Sequence, residues 1–102
     1  MEISVDLASG TGPALLAPGD FGSFKVSIRG GDDREQAARA LAGVGDWVDD
    51  GHVAVSPDAV RGLAGDAAAA AEWEEGFDAM LAYAKSKGWI VDGAIRAHVE
   101  WE

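Results

Sequence analysis

Three segments of this chain alternate between apolar and polar residues, and this period-two pattern is the feature that most constrains the fold. The segments are Glu2–Leu7, Ser23–Arg29 and Ala94–Trp101. Such alternation is typical of strands that bury one face and leave the other in water. We therefore expect a sheet whose apolar face is covered by other elements, because a two-stranded hairpin alone is only marginally stable.

The first two of these segments are expected to pair as antiparallel strands. Residues 8–20 lie between them, and their two Pro and three Gly predict a loop. This loop is longer than the usual connection of a hairpin. Its apolar residues Leu15 and Leu16 either fold down over the sheet or form an exposed patch that contacts a partner.

A first helix is predicted after the second strand. Asp32 and Glu35 have the spacing of a capping box, so the helix is expected to start at about Asp33. Two glycines weaken its second half, and we expect it to end or bend before Trp47. Apolar residues recur at helical spacing at Ala37, Leu41, Val44 and Val48.

Two more helices follow a short predicted strand at His52–Val55. Ser56 before Pro57 is a strong helix start, and this second helix is expected to end at Gly65. A third helix is predicted over residues 66–87, because large apolar residues recur there at helical spacing. They are Trp73, Phe77, Met80, Leu81 and Ala84.

The dipeptide Asp92-Gly93 predicts a hairpin at the end of the chain, since it favours the tight turn that joins antiparallel strands. Together these elements predict an α+β fold for a single domain over residues 1–102. The expected order is ββαβααββ, with antiparallel β-hairpins at both ends and about three helices packed between them.

An alternative fold concerns the chain from about residue 32 onward. Its order of helices, short strand and terminal hairpin is similar to a winged helix, with the hairpin as the wing. The similarity covers about 70 residues and is one of topology, without a shared sequence motif. It implies a regulator, and the charge of the candidate recognition helix favours protein over DNA as its target.

The charge of the chain limits its partners. There are 18 acidic residues against 8 basic ones, which gives a formal net charge of −10. Nucleic-acid binders need a basic face that releases counterions, so we predict no nucleic-acid partner. A strongly acidic surface instead steers basic proteins toward the chain.

The absence of cysteine excludes a disulfide framework, a thiolate metal site and a cysteine nucleophile. No apolar stretch is long enough to span a membrane and no secretory signal is recognised, so a cytoplasmic location without membrane binding is expected. The abundance of Ala and Gly is typical of a GC-rich, bacterial genome. No cofactor is predicted.

One candidate metal site lies in the sequence DWVDDGH. It places Asp46, Asp49 and Asp50 within seven residues of the imidazole of His52. Carboxylates and imidazole are common metal ligands, but this spacing matches neither an EF-hand loop nor a zinc motif. The alternative is a polar turn that leads into a strand.

One candidate catalytic site lies on the last strand. Arg96, His98 and Glu100 alternate with apolar residues and therefore share a face. A histidine beside a carboxylate can serve as a general base. The alternative is an ordinary solvated strand face whose ion pairs contribute little.

The four tryptophans divide into two kinds. Trp47 and Trp73 lie near the apolar stripes of their predicted helices, and Trp101 lies on the inward face of the last strand. These three are expected in the core. Trp89 faces Arg96 across the hairpin instead, so the two either stack on each other or anchor a partner.

The acidic excess is largest in the third helix, at Glu72, Glu74, Glu75 and Asp78. This stretch is a second candidate surface for a partner. The first hypothesis is therefore a protein-interaction or accessory domain that binds another protein or a second copy of itself. The alternatives are a small enzyme or a ligand or metal binder that uses the histidine clusters.

Overall fold

The computed structural model describes residues 1–102 except the side chain of Thr11. Over these residues the chain is a small α+β structure, in which three α-helices pack on one mixed sheet of seven strands. The strands are β1 (Glu2–Asp6), β2 (Thr11–Leu16), β3 (Lys25–Arg29), β4 (Gly45–Asp49), β5 (His52–Val55), β6 (Ile90–Val91) and β7 (Ala94–Trp101). The helices are α1 (Arg34–Ala40), α2 (Pro57–Ala64) and α3 (Ala71–Ser86), with a 3₁₀ turn at Gly65–Ala69.

The sheet has the order β2-β1-β3-β7-β5-β4, and the short β6 pairs with the start of β7. β1, β3 and β7 run parallel to one another, whereas the other pairings are antiparallel. The terminal hairpin is therefore part of the main sheet rather than a detached wing. For this reason the winged-helix alternative does not describe the fold.

The expected antiparallel pairing of the first two alternating segments is wrong. β1 and β3 are parallel neighbours, with Ile3 beside Val26. Part of the predicted loop forms the edge strand β2, which takes the antiparallel place beside β1. An edge strand tolerates Pro13 because one side of its backbone has no ladder to complete. The register with β1 also shifts between Ser4 and Asp6.

The first helix is shorter than predicted. Its cap is Asp33 rather than Asp32, since the Asp33 carboxylate accepts hydrogen bonds from the backbone amides of Glu35 and Gln36. The helix ends at Ala40, and Gly43 adopts a φ of 82°, which favours glycine and turns the chain back. The residues that follow form β4, so Trp47 lies on a strand instead of a helix.

The predictions for the second helix and the terminal hairpin are confirmed. The Ser56 hydroxyl accepts a hydrogen bond of 3.3 Å from the amide of Ala59, and Pro57 is the first helical residue. The hairpin has the predicted register, with Ile90 opposite Ile95. The third helix differs in its start, because a 3₁₀ turn occupies Gly65–Ala69 before α3 begins.

The core lies between the helices and one face of the sheet. Its completely buried members from strands and helices include Ile3, Val26, Ile28, Val53, Val55, Val60 and Phe77. Trp73 is buried as predicted. Trp101 is not: it is 37% exposed at the edge of this face, where it stacks on the half-buried Trp47 with ring centroids 5.9 Å apart. Within the described residues no helix combines the length and apolar character needed to cross a bilayer.

We expect Ser27→Ala to raise the free energy of unfolding by about 1 kcal/mol. The Ser27 side chain is completely buried, and its hydroxyl has no hydrogen-bond partner among the described residues. Burying such a group costs roughly 1–3 kcal/mol, which alanine would avoid. Urea unfolding measures the change, and Ser4→Ala on the neighbouring strand is the control because Ser4 is only half-buried. A loss of stability in the Ser27 variant would contradict the prediction.

Candidate functional site

The two histidines of the chain come together on the polar face of the sheet. β5 and β7 pair so that His52 lies directly opposite His98. Their ring centroids are 5.9 Å apart and the rings meet edge to face. The sequence placed them in two separate candidate sites, since 46 positions separate them along the chain. Strand pairing joins the two sites into one cluster.

Asp49 is the central charge of this cluster. Its carboxylate oxygens lie 2.9 Å from Nδ1 of His52 and 2.8 Å from a guanidinium nitrogen of Arg96. The amide of Gly51 also donates a hydrogen bond of 2.8 Å to it. The hydrogen bonds from Arg96, Gly51 and His52, in that order of importance, hold the pKa of Asp49 well below its ordinary value. Asp49 is therefore ionised throughout the physiological pH range.

The predicted pairing of His98 with Glu100 is replaced by a different one. Glu100 binds Lys25 at 2.9 Å, and Lys25 also lies 3.4 Å from Glu2. The hydrogen bond between Lys25 and Glu100 raises the pKa of the lysine and lowers the pKa of the glutamate. Lys25 is also the neighbour of His98 in the parallel pairing of β3 and β7. No pattern in the sequence indicates this contact, because it depends on which strand lies beside β7.

The four candidate metal ligands separate in the fold. Asp50 forms an ion pair of 3.1 Å with Arg34, whereas Asp46 lies beside Val48 in a different surface cleft. Only Asp49 and His52 contact each other. Among the described residues, no three histidine, aspartate or glutamate side chains are grouped so as to hold a metal ion.

A cleft opens beside Trp89, which we call the Trp89 cleft. β3 and β6 both lie on the same side of β7, and the gap between them forms this opening. Its volume is about 250 Å³. The residues that define it are Phe21, Phe24, Met80, Tyr83, Trp89 and Arg96. The lining is therefore mostly apolar, with four aromatic rings and one guanidinium group.

Two aromatic residues at this cleft are strongly exposed. Trp89 is 48% exposed and Tyr83 is 50% exposed, and their ring centroids are 5.9 Å apart. Trp89 and Arg96 face each other as predicted, joined by a backbone hydrogen bond of 2.8 Å from the Arg96 amide to the Trp89 carbonyl. The indole ring packs against Tyr83. Tyr83 had not been singled out, because a tyrosine near the end of a helix carries no distinctive signal.

The inner wall of the cleft depends on the segment that leads into β3. Phe21 packs against Trp73, whose indole nitrogen donates a hydrogen bond of 2.8 Å to the carbonyl of Pro18. The Phe21 ring also lies directly over Gly76 of α3, where any side chain would overlap it. Phe21 lies just after the predicted loop of residues 8–20, where no sequence pattern marks it as part of a site.

A second cleft of about 270 Å³ continues from the first. The two share Phe24, Trp89 and Arg96, and the second reaches His52 and His98. The predicted interaction residues Trp89 and Arg96 thus lie where an aromatic cleft meets the polar cluster. The sequence predicted candidate residues in both clefts, but no pattern in it indicated that the two clefts are continuous.

The remaining candidate interaction residues lie elsewhere. Arg61 of α2 forms ion pairs of 3.1 Å with Glu74 and 3.4 Å with Asp78, so these two acids of α3 are partly neutralised. Leu15 packs against the core from β2, whereas Leu16 is exposed on the other face of that strand. Leu15 therefore folds over the sheet, which was one predicted alternative, and Leu16 is exposed, which was the other.

The polar cluster has the elements of acid–base chemistry. A carboxylate that contacts one imidazole nitrogen orients the ring and leaves the other nitrogen available to a ligand. Within the described residues, the groups that bond to the His52 ring are Asp49 and Arg96, with no hydroxyl or thiol nucleophile among them. No family model, curated protein or solved structure matches the chain.

We expect Arg96→Gln to raise the pKa of Asp49 toward its ordinary value of 3.8, because it removes the largest cause of the shift. A lowered pKa in the folded state means that Asp49 contributes stability above the unfolded pKa. That contribution is lost as the pH falls through the folded pKa. A carbon-13 NMR titration of the carboxyl groups measures the change. Lys25→Gln is the control, since it should raise the pKa of Glu100 and leave Asp49 unchanged.

We expect Gly62→Ala to raise the free energy of unfolding by about 1 kcal/mol, since glycine inside a helix costs about that much. No atom lies within 4 Å of the added methyl group there. Gly76→Ala has the same helical advantage, but its methyl group would overlap the Phe21 ring. Its gain should be smaller by about 1 kcal/mol or more. Urea unfolding compares them, and equal gains would show that Gly76 has no special role.

Proposed function

We propose that this chain is a protein-interaction domain that receives a side chain of its partner in the Trp89 cleft. The observation that carries the proposal is the exposure of Trp89 and Tyr83 on the walls of a mostly apolar cleft. Tryptophan, tyrosine and arginine dominate the residues that contribute most to protein interfaces. All three types meet at this cleft.

The size of the cleft favours a side chain over a free small molecule. Small-molecule sites usually measure roughly 300–1,000 Å³ and enclose most of their ligand. The Trp89 cleft measures about 250 Å³ and is open to solvent. Covering apolar surface contributes about 25 cal/mol per Å². A partner that covers the exposed parts of Trp89 and Tyr83 would therefore gain affinity from this surface.

A second candidate is a small catalytic or ligand-binding site at His52. The specific observation in its favour is the 2.9 Å contact with Asp49, which orients the imidazole as a general base is oriented. Both side chains are partly open to water, at 33% and 42% exposure. This candidate ranks second because water-excluded sites strengthen such chemistry. It predicts that His52→Gln abolishes ligand binding, while Tyr83→Ala, which alters the Trp89 cleft but not the second cleft, leaves it intact.

The proposal predicts that Trp89→Ala loses the partner. The purified protein, immobilised, would be exposed to the extract of its source cells, and the captured proteins quantified by mass spectrometry. A candidate partner would then be produced and titrated by calorimetry. Because Trp89 is half-exposed and lines both clefts, its removal should weaken binding by roughly tenfold or more.

Trp101→Ala is the matched control for this experiment. Trp101 has a similar exposure but stacks on Trp47, away from the Trp89 cleft. We expect this variant to capture the same partner as the unaltered chain. If Trp89→Ala captured and bound the partner as well as Trp101→Ala does, the cleft would not be the binding surface.

A further inference from the structure

We propose that the partner of the Trp89 cleft is a basic polypeptide segment, which inserts one large apolar side chain while Glu72 and Glu75 of α3 pair with its lysines or arginines. This inference rests on the proposed function and adds the chemistry of the partner. Three observations carry it: the helical rows that lead to the cleft, the selective ion pairing of the acids on α3, and the net charge of the chain.

The helical repeat connects the two acids to the cleft. Side chains four positions apart lie in one row on a helix surface. Two residues of α3 that line the cleft, Met80 and Tyr83, therefore share rows with acids one and two turns earlier. These two rows are Glu72–Gly76–Met80 and Glu75–Ala79–Tyr83.

The other two acids of α3 face a different element. Glu74 and Asp78 are one turn apart, and both form ion pairs with Arg61 of α2. Glu72 and Glu75 are exposed, and neither has an ion pair among the described residues. The fold thus gives Glu74 and Asp78 a shared cation, which also binds Asp58, and leaves the cleft-directed pair available to a cation of the partner.

The spacing sets the geometry of the partner segment. The helix rises about 1.5 Å per residue, so Glu75 lies about 12 Å along the axis from Tyr83. An extended peptide covers roughly 3.3 Å per residue. A basic residue should therefore precede or follow the apolar anchor by about three or four positions.

The positive groups near the cleft do not reverse this preference. Arg96 is already paired with Asp49 at 2.8 Å, and Lys87 lies over the Tyr83 ring at 5.5 Å. The chain as a whole carries a net charge of −10. Such a charge speeds the approach of basic partners and repels acidic ones, most strongly at low salt. An acidic segment would gain a guanidinium that is already partnered and would oppose the field of the whole protein.

The test uses three fluorescein-labelled octapeptides and the full chain. The first has lysines three and four residues before a phenylalanine; the second replaces both lysines by glutamate, and the third replaces the phenylalanine by serine. Fluorescence anisotropy measures binding at about 50 mM and about 500 mM salt, which span weak and strong screening. We expect the lysine–phenylalanine peptide to bind best, and its advantage over the glutamate peptide to shrink at high salt.

The variant Glu72→Gln/Glu75→Gln should weaken the lysine–phenylalanine peptide about threefold to tenfold at low salt and little at high salt, as expected for two exposed ion pairs. Asp32→Asn/Glu35→Gln removes the same charge near α1, at the opposite end of the parallel strands, and should have little effect. Circular dichroism and urea unfolding confirm that both variants remain folded.

The possible results distinguish a failure of the basic-partner inference from a failure of the proposed function. Three results would each overturn the inference of a basic partner. They are tighter binding of the glutamate peptide, equal effects of the two double variants, and no detectable binding of the lysine peptide. In the first two cases, loss of phenylalanine-dependent binding in Trp89→Ala would still support the cleft as an interaction site. If Trp89→Ala bound all peptides normally, the proposed function would fail as well.

Discussion

The position of β7 is the constraint on which the rest of the structure depends. This strand pairs with β3 and β6 on one side and with β5 on the other. Its inner residues form the middle of the core, while its outer residues place Arg96 and His98 beside groups from distant parts of the chain. Because β3 and β6 pair with different parts of β7, an opening remains between them. The same strand therefore supplies the centre of the core and one wall of the candidate site.

Local features of the chain could be predicted because local chemistry determines them. The Ser56 cap, the Asp92-Gly93 turn and the alternation of β7 each depend on residues close together in sequence. The positions of Trp89 and Arg96 opposite each other could also be predicted, since both belong to that hairpin. The sequence could therefore predict only the part of the candidate site that lies within this one hairpin.

The errors concern contacts between distant segments. Alternation assigns a face to a strand but not its neighbour, so β1 and β3 could be recognised while their parallel pairing could not. Proline and glycine indicated a loop at residues 11–16, but an edge strand accommodates both. The contact of Asp49 with Arg96 follows from the pairing of β5 with β7. No pattern in the sequence indicates which strands are adjacent, and the polar cluster depends on that adjacency.

The net charge says less about the surfaces of this chain than the arrangement of its charged residues does. The four acids of α3 appear equivalent in sequence, yet the helical repeat divides them between two surfaces. Arg61 of α2 forms ion pairs with Glu74 and Asp78 of α3, and these pairs link the two helices. The remaining two acids lie in the rows that contain Met80 and Tyr83, and Gly76 within one of those rows lets Phe21 close the wall of the cleft. One helix thus combines a structural ion pair, an apolar surface and a region of negative charge that is open to a partner.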